Sequence, residues 1–364
     1  MTKTVTRKLN ISNKRVLVLV DFLLPIENML PTLESLASSK NKVIAVSFFD
    51  KISLANHAGL LAEAMRRKFI LLHDDVPKLP EYDVPHLYFA PSGKLLAQMR
   101  AGDIAVVENL NLLSKEQIST IVKLGEEFVN DDFGSDEDAT HAIAGSMHSQ
   151  NGLEYNRTKK NIDSFLSREK KPLVLILGGT KIAGKEAALE KLIPRASVVL
   201  VGGGIANLFF KLRGFEIGKS IVDPKANSAT IKKLWRDYKS KIQLPIDVVV
   251  SSDPSGNAEC VKPDKVKSHQ MILDIGPQTT LEYSKYIKKG VALVWSGALG
   301  HVQQQKFKHG TSALLRLFAS RSQNHVNAAA SGESIMPILQ SAGFLPQLDI
   351  AVPSSIGLLN ALAK

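Results

Sequence analysis

The chain has 364 residues, 44% of them hydrophobic and 22% charged, which excludes disordered and fibrous classes and exceeds what one core usually supports, so two domains are expected. A formal net charge of +11 and a pI near 9.5 favour anionic partners such as nucleotides and phosphorylated metabolites. The single cysteine, Cys260, forms no internal disulfide, and no run reaches the ~20 apolar residues of a membrane span, so a cytoplasmic protein without a membrane partner is expected.

In chain order, the start MTKTVTRKLNISNKR lacks a signal-peptide core, and the first apolar run, 16–26, carries Asp21 and reaches Pro25. Residues 16–20, 42–47 and 104–108 read as strands, with helix-length segments at 60–69 and 115–127. Residues 126–138 carry seven acidic side chains and no basic one. The polar, Lys-rich stretch 151–171, with Leu153, Ile162, Phe165 and Leu166 at helical spacing, is the linker candidate. Beyond it, 173–177, 198–201, 247–251 and 291–295 read as strands and 231–238 as helix. This βαβ rhythm predicts an α/β protein of two doubly wound, Rossmann-like lobes, each a parallel sheet with helices on both faces.

The run KKPLVLILGGTKIAGKEAALEKL, residues 170–192, passes from a buried strand through Gly178 and Gly179 into a helix beginning at Glu186. Such a junction aims free backbone N–H groups, a positive helix end and here Lys181 and Lys185 at one point, which suits a polyphosphate. Gly179, Gly184 and Lys185 mimic P-loop spacing. Glu186, however, stands where that motif needs a hydroxyl for Mg²⁺, so a Walker A reading is rejected. An ordinary βα turn with two solvated lysines is the competing reading.

Other chemistries find little footing. With 6% aromatics and no RNA-recognition, zinc-finger or helix-turn-helix signature, nucleic acid is not expected as a partner. NDDFGSDED lacks EF-hand spacing and reads as a solvated acidic loop. No His-Glu-x-x-His, Cys-x-x-Cys or Gly-x-Ser-x-Gly occurs, and the nine histidines are scattered.

The succession RVLVLVDFLLP, GDIAVVENL, FVNDDFG, LILGGTKIAGK, LVGGGIANLFFKLRGFEIGKS, ILDIGPQT, VWSGALGHV and FKHGTSAL resembles, in order and at similar distances, the segments of the phosphoglycerate kinase family. The resemblance implies a two-lobed α/β kinase joined by a helical hinge: an N-lobe over 1–160 for 3-phosphoglycerate, a nucleotide-binding C-lobe over 161–345, and a C-terminal return segment over 346–364. It assigns Lys181 to the transferring phosphoryl group, as the catalytic residue, and Lys185 to the nucleotide phosphates. Gly178, Gly179, Gly203, Gly204, Pro277, Gln303, Gly332, Glu333 and Ser334 follow as the residues lining Mg-ATP or Mg-ADP. Gln303 stands at the family's ribose-binding Glu, and Glu333 faces the nucleotide-bound Mg²⁺ through water. A helix N-terminus stabilised by an acid and a hydroxyl reads Glu333 and Ser334 equally well.

The acceptor side departs from the family. Asp21 is kept, but Leu23 replaces an Asn, Phe48 a His, and Asn111 and Asp138 two arginines, while Lys51 retains one charge without a guanidinium fork. Val352, Pro353, Ser354, Ser355 and Ile356 replace the family's terminal Gly-rich loop. The expected protein is a nucleotide-binding, monomeric relative with weak or lost phosphoryl transfer, a possible pseudoenzyme. An active phosphoglycerate kinase of glycolysis, or a kinase for another small acceptor, is the alternative, and a protein partner is left open.

Overall fold

Short β-branched runs alternate with helices throughout the computed structural model, which describes residues 9–49, 53–66, 69–72, 87–90, 99–134, 137–168, 171–323 and 326–364. Lys51 lies outside the described residues. Compact packing divides the chain into Met1–Lys160 and Asn161–Lys364.

The first unit contains β1 (Arg15–Leu19), α1 (Ile26–Ser38), β2 (Lys42–Val46), α2 (Ala55–Met65), β3 (Phe69–Leu72), β4 (Leu87–Ala90), β5 (Ile104–Val107), α3 (Lys115–Val122), β6 (Glu127–Asn130), α4 (Glu137–Ala144), β7 (His148–Asn151) and the start of α5 (Leu153–Ser167). Its strands form one parallel sheet in the order β4-β3-β5-β2-β1-β6-β7. Successive side chains point to opposite faces, and both faces are covered. Val16, Val18, Val43 and Ala45 pack with Leu33 and Leu36 of α1 and Ala58 and Leu61 of α2. Leu17, Leu19, Ile44 and Val46 pack with Ile121 of α3 and Ile143 of α4.

The second unit holds β8 (Leu173–Leu177), α6 (Glu186–Arg195), β9 (Val198–Val201), α7 (Gly203–Leu212), α8 (Ser228–Tyr238), β10 (Ile242–Gln243), β11 (Val248–Ser251), β12 (Glu259–Val261), β13 (Met271–Ile275), α9 (Pro277–Lys289), β14 (Ala292–Ser296), α10 (His309–Ser322), β15 (Asn327–Ser331), α11 (Met336–Ser341), β16 (Ile350–Val352) and α12 (Ser355–Leu362). Its parallel sheet runs β10-β9-β8-β14-β15-β16. Strand order reverses between β8 and β14, so a crevice is expected beyond their carboxyl ends.

The expected two doubly wound parallel sheets are present, with three local corrections. Residues 247–251, read as a parallel strand, form β11 of a separate antiparallel sheet, β12-β11-β13. The helix expected to reach residue 127 ends at Val122, because Lys123–Gly125 turn into β6. The helix expected over 60–69 is α2, and Phe69 opens β3 instead. The segment read as a linker is the continuous helix α5, with Ile162 and Phe165 buried.

Candidate nucleotide-phosphate site

Loops following β8, β9, β14 and β15 meet at the reversal point of the second sheet, and glycines let them approach. A Cβ on Gly178 would lie 2.3 Å from the Ala298 carbonyl oxygen. Gly332 combines φ +130° with a virtual Cβ 2.9 Å from Gly297 Cα. Gly203 and Gly204 bring the start of α7 against the Gly179–Thr180 backbone. The structure thus brings together Gly178, Gly179, Gly203, Gly204 and Gly332, as the sequence suggested, and adds Gly297, which sequence reasoning passed over within VWSGALGHV.

The expectation of free amides at this turn is corrected. Gly178 N–H donates to Ser296 O at 2.8 Å and Gly179 N–H to Ala298 O at 2.6 Å. These glycines serve close packing between loops, and their donors are spent. Further along, Ile182 and Ala183 N–H both donate to Asp223 Oδ2 at 2.8 Å. Glu186, the first residue of α6, accepts the Asn227 N–H at 3.3 Å.

The turn also carries two cations. Lys185, the N-cap residue of α6, is 7% exposed. Burial pushes its ammonium down to about 8; Asp223 and Glu333 pull it back up and Lys181 opposes them. Two cations and two carboxylates therefore share one electrostatic neighbourhood. Asp223 is itself buried, which favours its neutral form, yet the Ala183, Lys225 and Ile182 amides and the Lys181 charge outweigh this and leave its pKa below the ordinary value.

Glu333 is exposed and Ser334 half-buried, in the turn that precedes the six-residue α11. Pro277 is the first residue of α9, whose Gln278 and Thr279 amides donate to the buried Asp247 at 3.0 and 2.7 Å. That helix end is capped by the protein itself. Gln303 is exposed in the turn after Gly300. Ser354 accepts the Gly357 N–H at 3.0 Å and starts α12, which packs on α6, while Ile356 comes 3.2 Å from a virtual Cβ on Gly184.

In the first unit, the residues expected on the acceptor side divide between half-buried and exposed positions. Asp21 Oδ1 accepts the Leu23 N–H at 2.9 Å, and the Leu23 side chain packs on the core beside α1. Phe48 packs on the opposite core. Asn111 donates from its side chain to Phe49 O, and its own N–H goes to Asn109 Oδ1 at 3.1 Å. Phe22 and Phe49 flank His57 with centroids 5.4 and 4.9 Å away, and burial lowers that imidazole's pKa. Asp138 is exposed on α4.

Comparison with known proteins agrees with this geometry. The sequence profile of the phosphoglycerate kinase family matches residues 6–349. The phosphoglycerate kinase of Pelotomaculum thermopropionicum is 27% identical over 92% of this chain and 90% of its own length, and that of Chloroherpeton thalassium 29% identical over 93% and 91%. The solved structure of phosphoglycerate kinase from Coxiella burnetii superposes with a TM-score of 0.62 at 25% identity, covering 98% of this chain and 94% of that one. The Pyrococcus horikoshii OT3 enzyme superposes with 0.70 at 20% identity over 98% and 94%, a likeness of fold. Sequence profile, curated relatives and architecture converge, and the chain belongs to the phosphoglycerate kinase family.

Proposed function

We propose that this chain binds Mg-ATP or Mg-ADP through its second unit and transfers phosphoryl groups to 3-phosphoglycerate weakly or not at all. The observation that carries the nucleotide half is Lys185: a buried cation at the mouth of α6, beside Lys181, at the carboxyl end of a parallel strand. Burying a cation is costly, and an arriving polyphosphate offsets that cost by restoring charge balance. Lys181 faces the transferring phosphoryl group and Lys185 the nucleotide phosphates, where cations stabilise spreading negative charge. Among the described residues no cluster of three or more His, Cys, Asp or Glu side chains converges on a metal position. The magnesium of this reading arrives with the nucleotide, and Glu333 would face it through water. Bound there, it would neutralise phosphate charge during transfer.

The acceptor half rests on the side chains that stand there: Leu23 and Phe48, half-buried against the cores, and Asn111, exposed and donating to Phe49 O, offer no cationic group to a phosphate. A coupled assay for ADP formation from Mg-ATP in the presence of 3-phosphoglycerate, run beside calorimetry with Mg-ADP, tests both halves. Nucleotide heat is expected, with Lys185→Ala losing about 1.5–3 kcal/mol of affinity. No saturable binding of 3-phosphoglycerate at millimolar concentration is expected. Absence of nucleotide heat would overturn the first half. A turnover within tenfold of an ordinary kinase, roughly 1–100 per second, would overturn the second and make the chain an active phosphoglycerate kinase.

A further inference from the structure

The segment from Ile217 to Asn227 runs as a strap over the entrance of α6. Ser220 Oγ accepts the Ile272 N–H at 2.8 Å, fixing the strap to β13. The Ile221 carbonyl accepts from Asn207 Nδ2 at 2.9 Å, fixing it to α7. Its far end is tied to α6 by the bond from Asn227 N–H to Glu186. At the centre stands Asp223, 8% exposed. One of its oxygens takes the Ile182 and Ala183 amides, and the other takes the Lys225 N–H at 2.9 Å, closing an Asx turn.

We infer that Asp223 is a positioning residue of the nucleotide-phosphate site: its carboxylate occupies the Ile182 and Ala183 amides of the Lys181–Lys185 turn, so that these two donors are closed to the anion and the two lysines are presented to it. The inference deepens the proposed nucleotide binding and rests on it for the identity of the anion. An empty pair of amides at a helix entrance would itself take a phosphate oxygen. Here those donors are filled by a side chain whose own negative charge also opposes the depression of the Lys185 pKa by burial. Asp223 therefore does two things at once. It sets the backbone geometry of the turn, and it sustains the charge of the buried lysine beside it. The charged groups in electrostatic contact with Lys185 are Lys181, Asp223 and Glu333, so removing Asp223 leaves Glu333 as the sole opposing carboxylate among them.

The test compares Mg-ADP affinity of the full chain, wild type against Asp223→Asn and Asp223→Glu, by calorimetry at about pH 6.5 and about pH 8.5. Without the carboxylate, the Lys185 ammonium is lost at lower pH. The Asn variant should bind within about threefold of wild type at the acid end and lose clearly more affinity than wild type towards the alkaline end. The Glu variant, which retains the charge, should keep the wild-type pH profile. An equal loss at both pH values would mark a merely structural role and overturn the inference. Two measurements made without nucleotide separate its failure from failure of the functional reading. With lysines labelled at the ε-carbon, the Lys185 resonance should titrate at lower pH in Asp223→Asn than in wild type; an unchanged midpoint overturns the inference even where nucleotide binds. Should the Asn variant not fold, amide exchange in the wild-type chain decides: protected Ile182 and Ala183 amides are expected, and exchange at the rate of open turns overturns the inference.

Discussion

Lys185 sets folding against binding. Its ammonium is depressed to about 8 by burial, so below that pH the folded chain carries a desolvated charge that the unfolded chain does not. Between about 8 and its ordinary value the unfolded chain holds a proton that the folded chain has released, and stability rises with pH across that window. Lys185→Met should raise the thermal midpoint in calorimetry at pH 7, by roughly 2–4 °C for each kcal/mol recovered, while removing Mg-ADP binding. Two buried carboxyls act in the opposite sense. Burial lifts Asp131 to about 7, with Glu154 adding to it against the Thr32, Tyr155 and Glu154 donors. Asp274 is lifted to about 7 by burial against the Gly310, Ile275 and His309 amides. From about pH 4 to 7 the folded chain keeps protons that the unfolded chain has lost, so stability falls as pH rises, by up to ~1.4 kcal/mol per pH unit for each group. Urea midpoints should therefore pass through a minimum near pH 7–8, and Asp131→Asn should flatten its acid limb. Lys181, Lys185 and the glycine pair were legible in the sequence because they share one short window with a strand on one side and a helix on the other. Asp223 was not, because it lies 41 residues from the amide it holds and only the fold brings them together.

At the scale of elements, β8 and β9 were legible to the residue. LVLIL and VVLV are uninterrupted apolar runs, and strands buried on both faces need nothing else. β7, HSQN, was not, being a polar and mostly exposed edge strand without a period. Nor was β15, NAAAS, where alanine favours helix and burial between β14 and β16 overrides it. The loops between elements carry their own constraint, which two alanine substitutions separate. Gly178→Ala places a methyl 2.3 Å from a backbone oxygen and should cost about 3 kcal/mol or more in urea unfolding. Gly343→Ala has open space around it and only φ +68° to contend with, so about 1–2 kcal/mol is expected. Equal costs would show that crowding at the loop junction is relieved by backbone movement.

At the scale of the molecule, two units with their own cores predict that unfolding need not be a single event. Both tryptophans, Trp235 and Trp295, belong to the second unit, so their fluorescence reports it selectively while circular dichroism reports both. Millimolar Mg-ADP should shift the fluorescence transition upward and leave a separate portion of the dichroism transition in place. Coincident shifts in both signals would mean that the units unfold together. In the first unit Leu23 and Phe48 pack, half-buried, against different cores, and Asn111 braces the chain at Phe49. A polar side chain at 23 or 48 would give up part of that apolar contact, a loss of about 1 kcal/mol at each position. Packing and phosphate pairing therefore compete for the same two positions, and the apolar side chains present serve the first.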